Sequence, residues 1–274
     1  MLVADLHLHS NYSDGKLTVS ELINKVIEKK LKYFSITDHD TIDGIEAASN
    51  FVKDKDIHFI PGVEVSSEID GLEIHILGYF IDYRNEELKY YLSKFKEERL
   101  RRAKQILLNL KKQGIDITIE DVIQFSESKP ITRPHIAFAL IKKKFVKNYR
   151  EAFYKYLGDF SSAFEKKSHS KPNVVIDLIR RCGGISVLAH PFNLSDGQLK
   201  QIILQGIDGI ETDHPTYKNS RKKFLHIIAV ENSLIETGGS DFHGGLRNDE
   251  HNFGKFGMTI DQVQKLLRYK DERR

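Results

Sequence analysis

The histidine pair His7 and His9, in the opening run Met1-Leu-Val-Ala-Asp-Leu-His-Leu-His-Ser10, limits the fold more than any other feature of the chain. The run reads as a strand. Alternate side chains of a strand share a face, so both imidazoles project together while Leu6 and Leu8 pack the other way. Two such rings can grip one metal ion, although a His-x-His pair on a strand is about as often a pair of hydrogen-bonded polar residues. Recurrence tips the balance. Asp38-His39-Asp40, Glu64, His75, His190-Pro191 and Asp241-Phe242-His243 each follow or sit in a short apolar run. These residues are scattered along the chain and meet only if the strands lie side by side with their ends gathered.

The chain between them supplies that arrangement. Thr18 is placed to cap a helix with Glu21 three residues on, which holds Asp14 near the exit of the first strand. Leu22, Val26, Ile27 and Leu31 form an apolar stripe, and Tyr33–Thr37 reads as the next strand. Further strands are expected at Ile57–Ile60, Val63–Ser66, Leu72–Tyr79, Ile185–Ala189, Ile207–Glu211 and Ile235–Thr237, with Ser67–Gly71 closing a hairpin. Helices are expected at Val174–Arg181 and near Gln198–Leu204. Strand alternating with helix is the βαβ pattern, and about seven such strands predict an α/β fold, an irregular (β/α)7-type barrel with its site at the strand C-terminal face. Glu64, between Val63 and Val65, asks for a cationic partner once buried.

From 82 to 158 the texture changes. Glu86 to Gln113 reads as one long helix with Leu88, Leu92, Phe95, Ala103, Ile106 and Leu110 on a stripe, and Gly114 ends it. Shorter helices are expected at Glu120–Phe125, Pro134–Lys143 and Tyr149–Leu157. The expected organisation is therefore a discontinuous barrel, 1–81 and 159–274, carrying a helical insertion domain, 82–158. Arg99 falls in the stripe, and it or Arg102 either snorkels to solvent or is aimed into a cleft.

Composition narrows the chemistry. With 274 residues the chain can bury a sizeable core, and 42 basic against 39 acidic residues give a net charge of +3, which permits phosphate-bearing substrates without demanding them. The single cysteine, Cys182, excludes an internal disulfide and a thiolate-built zinc site. The first strand follows Met1 directly, with no basic flank or long apolar segment, so a cytoplasmic protein without membrane insertion is expected. No obligate protein partner is evident.

Taken together, Asp-Leu-His-Leu-His-Ser at 5–10, Ile-Thr-Asp-His-Asp-Thr at 36–41, Pro-Gly-Val-Glu at 61–64, His75, Leu-Ala-His-Pro at 188–191 and Gly-Ser-Asp-Phe-His-Gly at 239–244 resemble the PHP (polymerase and histidinol phosphatase) family of metallophosphoesterases. The resemblance spans nearly the whole chain. Thr-Arg-Pro-His-Ile-Ala at 132–137 resembles the subgroup acting on nucleoside 3',5'-bisphosphates and short RNA 5' ends. The resemblance implies three divalent metal ions. His7, His9 and Asp241 would hold one, Glu64 would bridge to a second that also takes His75 and His190, and Asp14, His39 and His243 would hold the third. Imidazole and carboxylate donors suit manganese, iron(II) or zinc. Asp5, Asp38 and Asp40 are expected to orient imidazoles through their distal nitrogens.

The implied reaction is hydrolysis of a phosphate monoester by a metal-bridging hydroxide, with no protein nucleophile. Its expected substrate is the 3'-phosphate of nucleoside 3',5'-bisphosphates, extending to short oligoribonucleotides attacked from the 5' end. Arg133 offers bidentate donors to phosphate, and His135 a hydrogen bond or a proton for the leaving group. Helix initiation accounts for Thr132 and Pro134 but not for Arg133 and His135. Relatives often carry a tyrosine-valine pair after the insertion and a histidine beyond the Ile-Glu strand. Here those regions read Asp-Phe-Ser-Ser-Ala and Thr-Asp-His-Pro-Thr-Tyr, which makes His214 a candidate for the second. His58, His226 and His251 read as structural or surface residues and His169 as a loop residue. The alternatives are a histidinol-phosphate phosphatase, which should lack the Arg-Pro-His segment, and a non-catalytic metal-stabilised module binding nucleic acid or a polymerase.

Overall fold

The computed structural model describes residues 2–125, 131–158, 161–163, 165 and 170–273. His169, Asp159 and Phe160 lie outside them. In chain order, β1 (Leu2–Leu8), α1 (Val19–Glu28), β2 (Tyr33–Ile36), α2 (Ile45–Phe51), β3 (His58–Phe59), β4 (Gly62–Ile69) and β5 (Leu72–Tyr79) come first. Next are α3 (Glu86–Lys111), α4 (Ile119–Ile123), α5 (Arg133–Lys142) and α6 (Tyr149–Ala152), which runs into a π-helical turn at Phe153–Leu157. Then follow α7 (Pro172–Arg181), β6 (Ile185–Leu188), α8 (Asp196–Leu204), β7 (Gly209–Asp213), α9 (Asn219–Glu231), β8 (Ile235–Gly238), β9 (Met258–Thr259) and α10 (Ile260–Glu272). The chain divides into two compact units, Met1–Lys89 with His169–Arg274, and Tyr90–Ser168.

The first unit is α/β. One sheet has the order β3-β2-β1-β9 and the other β4-β5-β6-β7-β8. Single bridges join the two sheets at the end of β1 and past the end of β2, Leu8 to Phe242 and His39 to Glu64, and the backbone bonds His9 N to Phe242 O (3.0 Å) and Asp40 N to Glu64 O (2.9 Å) lie beside them. These links bring β1, β2, β4, β5, β6, β7 and β8 into one ring around the strand C-terminal ends. The ring is irregular because β5 pairs antiparallel with both β4 and β6, while β6, β7 and β8 are parallel. The β4–β5 hairpin turns on Asp70-Gly71, both at positive φ. That is the backbone an Asp-Gly two-residue turn favours, and it lets β4 run further than the sequence suggested.

Leu6, Leu77, Tyr79, Val187 and Ala189 pack in one core cluster, while Leu8, Phe34 and Ile36 meet α1 in another. The α1 cap forms as expected, Thr18 accepting from Glu21 N while the Glu21 carboxylate accepts from Thr18 N. Its buried face carries Leu22, Ile23 and Val26, whereas Ile27, expected on the stripe, is exposed.

The second unit is helical. Ala103, Ile106 and Leu110 of α3 share a buried cluster with Val122 of α4 and Ile136, Ala137 and Leu140 of α5. Arg102 rather than Arg99 is the buried arginine of α3, its Nε donating to Glu165 O at 2.7 Å. At the start of α5, Thr132 and His135 form a capping box in which His135 Nδ1 accepts from Thr132 N at 3.1 Å. Helix initiation therefore accounts for His135 as well as Pro134. Arg133 donates to Leu157 O at 2.9 Å. No helix among the described residues is long and apolar enough to cross a membrane.

Candidate metal centre

The α/β unit brings together every proposed ligand, Glu64 and His75 from within β4 and β5 and the others from β1 and the loops at strand exits. His7 on β1 and His9 just past its end project to one side, and the buried Glu64 on β4 meets both. His7 Nε2 and His9 Nε2 each lie 3.2 Å from Glu64 Oε2, and 3.4 and 3.0 Å from Asp241 Oδ1. Ligands about 2.0–2.2 Å from one ion sit roughly 3.0–3.4 Å apart in tetrahedral or octahedral geometry. All four histidine–carboxylate distances of the His7, His9, Glu64, Asp241 group have that spacing.

Glu64 faces two ways. Its Oε1 lies 2.9 Å from both His75 Nδ1 and His190 Nε2, which are 3.3 Å from each other. Its Oε2 faces His7 and His9, and also His39 Nδ1 at 3.2 Å. A carboxylate with each oxygen turned to a separate set of imidazoles is arranged to be shared between two cations. A further group joins His9, Asp14, His39 and His243, in which Asp14 Oδ1 lies 3.3 Å from His243 Nε2 and 3.8 Å from His9 Nδ1. His39 belongs beside Asp14 and also beside Glu64 and His75, so it links the groups.

The donors fit divalent ions on a second count. Both nitrogens of His9 and Nε2 of His243 are buried without a hydrogen-bond partner among the described residues. His9 Nε2 has carboxylate oxygens at hydrogen-bond distance yet not in hydrogen-bond alignment, as expected where lone pairs converge on a shared point instead of on each other. Charge agrees. Burial alone would raise the Glu64 carboxyl, but His39, His7 and His75 outweigh it and hold it well below the usual range. Asp14 and Asp241 are likewise lowered against burial, by His39 and His243 around the first and by His7, His214 and His9 around the second. Burial pushes the His39 imidazole down to about 3, whereas Glu64 overcomes burial and carries His75 up to about 10. The carboxylates are thus held ionised by the positive charge of the surrounding imidazoles, a role divalent ions would take over with the imidazoles neutral as ligands.

Backbone strain accompanies the site. His190 and Asp241 take left-handed φ values of 27° and 50° at their strand exits, and Asp40 one of 54°. Such conformations cost free energy and persist where the surroundings hold them. At His190 the holder is Glu211, whose carboxylate accepts the His190 backbone N–H at 2.8 Å and faces His7 Nδ1 at 3.0 Å. An ionised carboxylate only accepts, so neutral His7 donates from Nδ1 and leaves its Nε2 lone pair to the cluster. Asp241 O does the same for His243 Nδ1 at 2.7 Å.

Sequence reasoning assigned this orienting role elsewhere. The hydrogen bonds of Asp5 go to the backbone N–H groups of His7 and Ser240, and burial pushes its carboxyl up to about 7. Asp38 binds Ser10 and Ser13, and Asp40 the N–H and hydroxyl of Ser66. These aspartates fix the loops that carry the ligands. Glu211 carries a weaker sequence signal than Glu64, since Asp208 and Asp213 flank it in and beside its strand. His214 stands at the cluster. Thr216 N donates to its Nδ1 at 3.2 Å, and its buried Nε2, 3.5 Å from Asp241 Oδ2, has no hydrogen-bond partner among the described residues. With His7 and Glu211 it forms a further group of donors close enough to share an ion.

An α/β ring gathering imidazoles and carboxylates, without thiolates, at its strand C-terminal face defines a metal-dependent hydrolase. Residues 5–237 match the PHP domain, and the chain belongs to the PHP family. It is 33% identical over 245 residues to a 5'-3' exoribonuclease of Haemophilus influenzae, a match covering 87% of this chain and 89% of that one. It is 31% identical over 246 residues to a 3',5'-nucleoside bisphosphate phosphatase of Chromobacterium violaceum, covering 87% and 86%. The crystal structure of a candidate metal-dependent phosphoesterase from Bifidobacterium adolescentis superimposes with a TM-score of 0.84 at 29% identity, over 96% of this chain and 95% of the other. The chain is accordingly a metal-dependent phosphoesterase, a hydrolase of phosphate esters.

Proposed function

We propose that this phosphoesterase removes the 3'-phosphate of nucleoside 3',5'-bisphosphates and degrades short oligoribonucleotides from the 5' end. The observation that carries the reading is the double-facing Glu64 at the centre of overlapping donor groups, in a chain similar to relatives named for those two activities. Three divalent ions, manganese, iron or zinc, fit the donors. His7, His9, Asp241 and Glu64 would hold one, Glu64, His75 and His190 another, and Asp14, His39 and His243 the third.

When bound, such ions neutralise phosphate charge and lower the pKa of water, so hydrolysis needs no protein nucleophile. The chain's own residues hold the donors still. Glu211 and the Asp241 carbonyl fix the ring tautomers of His7 and His243. From the helical insertion, 82–158, Arg133 would supply bidentate donors to a second phosphate. His135, whose Nδ1 accepts from Thr132 N, carries the proton of its neutral ring on Nε2, the atom that would donate to phosphate or to the leaving group.

Phosphate release from adenosine 3',5'-bisphosphate and from histidinol phosphate, each with and without manganese, tests the reading. Manganese-dependent release from the bisphosphate is expected, and faster release from histidinol phosphate would overturn it. Elemental analysis of the purified protein should find about three equivalents of metal per chain, one for each ligand set.

A further inference from the structure

Beside the ligands stands an arginine that the sequence did not single out. Arg247 lies in the loop after β8, and its Nη2 donates to Asp14 Oδ2 at 2.6 Å while Nη1 stands 3.8 Å from Asp241 Oδ2. Its side chain is 51% exposed, whereas the carboxylates it approaches are mostly covered. The guanidinium therefore spans two ligand groups on their solvent side.

The loop is built to hold it there. Asn248 N donates to Gly245 O at 3.2 Å, closing a turn with Arg247 at its third position, and Gly244, Gly245 and Asn248 all take positive φ. The buried Asp249 carboxylate accepts from His243 N at 2.5 Å and Gly245 N at 2.8 Å, tying the turn to a proposed ligand. Asp14 divides its oxygens. Oδ1 faces His243 and His9, and Oδ2 takes Arg247, so the arginine holds the outer oxygen without occupying the inner one.

An arginine has five N–H donors, and Asp14 is the one hydrogen-bond partner of this one among the described residues. Divalent ions at Asp14 and Asp241 would take up much of the negative charge it now faces, leaving a half-exposed cation with unspent donors beside a site for phosphate esters. We infer that Arg247 is a phosphate-binding residue of this centre, gripping from the α/β unit itself the phosphate that the metal ions hold. This rests on the phosphoesterase reading and goes beyond it by naming a direct protein contact to the scissile group.

The test titrates metal-loaded wild type, R247A and R247K with inorganic phosphate in a calorimeter, with metal content measured on the same samples. The expected result is unchanged metal content, phosphate binding weakened about tenfold or more in R247A, and an intermediate value in R247K, which keeps the charge but loses the planar fork. R247A binding phosphate as tightly as wild type overturns the inference. So does R247A losing metal and phosphate together, which would reduce Arg247 to a support for Asp14. Wild type binding no phosphate would be a different failure, that of the metal centre as a phosphate site.

Discussion

The interiors of the two units are built on opposite terms. In the α/β unit the site buries Asp5, His7, His9, Glu64, Glu211 and His243, polar groups that are costly to desolvate, beside His190 and Asp241 in strained backbone conformations. Among its described residues the helical unit buries aliphatic and small side chains with a single arginine, Arg102, whose Nε donates to a backbone carbonyl. The first interior gives up stability for a site that concentrates charge, and the second is packed for cohesion. Metal capture should then depend on the first alone.

The largest effect is expected at Asp241. Replacing it by alanine removes a carboxylate shared by His7 and His9 and leaves buried imidazoles without their counter-charge. Asp241→Ala should lose metal and activity together, down to background, and elemental analysis beside phosphate release checks it. Full metal content in the variant would break the assignment.

Leu110→Ala probes the other interior. Leu110 is fully buried among α3, α4 and α5, so the cavity should cost about 2–5 kcal/mol. Denaturation followed by helical signal should report that loss while metal content stays at the wild-type level. Parallel loss of metal would show that the two interiors are not energetically separate.

How much of this was legible in the sequence follows the same division. His7 and His9 in a strand and Glu64 between valines were readable because similar acid and histidine positions recur after short apolar runs, and a charge buried among valines needs a partner. Glu211, with Asp208 and Asp213 close by in sequence, did not stand out in that way. Asp5, Asp38 and Asp40 were misassigned because an aspartate beside a histidine in sequence is no guide to which atom its carboxylate reaches in space. Arg247 left no signal, since its place depends on a turn closed by Asn248 and Asp249. In the helical unit the α3 stripe was plain from periodicity, but His135 was taken as unexplained by helix initiation because histidine is an unusual partner in a capping box.

Arg133→Ala sharpens the comparison from the side of substrate. Metal content should be unchanged. A lost charge-assisted contact is worth about 1.5–3 kcal/mol, so kcat/KM for a nucleoside 3',5'-bisphosphate should fall roughly ten- to a hundredfold. A small aryl phosphate cannot occupy a second phosphate grip, and its turnover should change much less. Equal losses on both substrates would reject a separate grip for the second phosphate.

The smallest effect is expected within the α/β unit itself, at a histidine outside the cluster. His58 on β3 is exposed and stacks on Tyr33 with ring centroids 4.8 Å apart. The strand pairing beside it runs through backbone groups that alanine keeps, including His58 N to Lys32 O at 2.7 Å. His58→Ala therefore removes one surface ring contact, worth less than about 1 kcal/mol. Metal content and kcat/KM should match wild type, with only a slight shift in the denaturation midpoint. A loss of metal in His58→Ala would mean that metal affinity responds to any disturbance of the barrel, and the contrast drawn from Asp241 would then measure fold integrity instead of ligation.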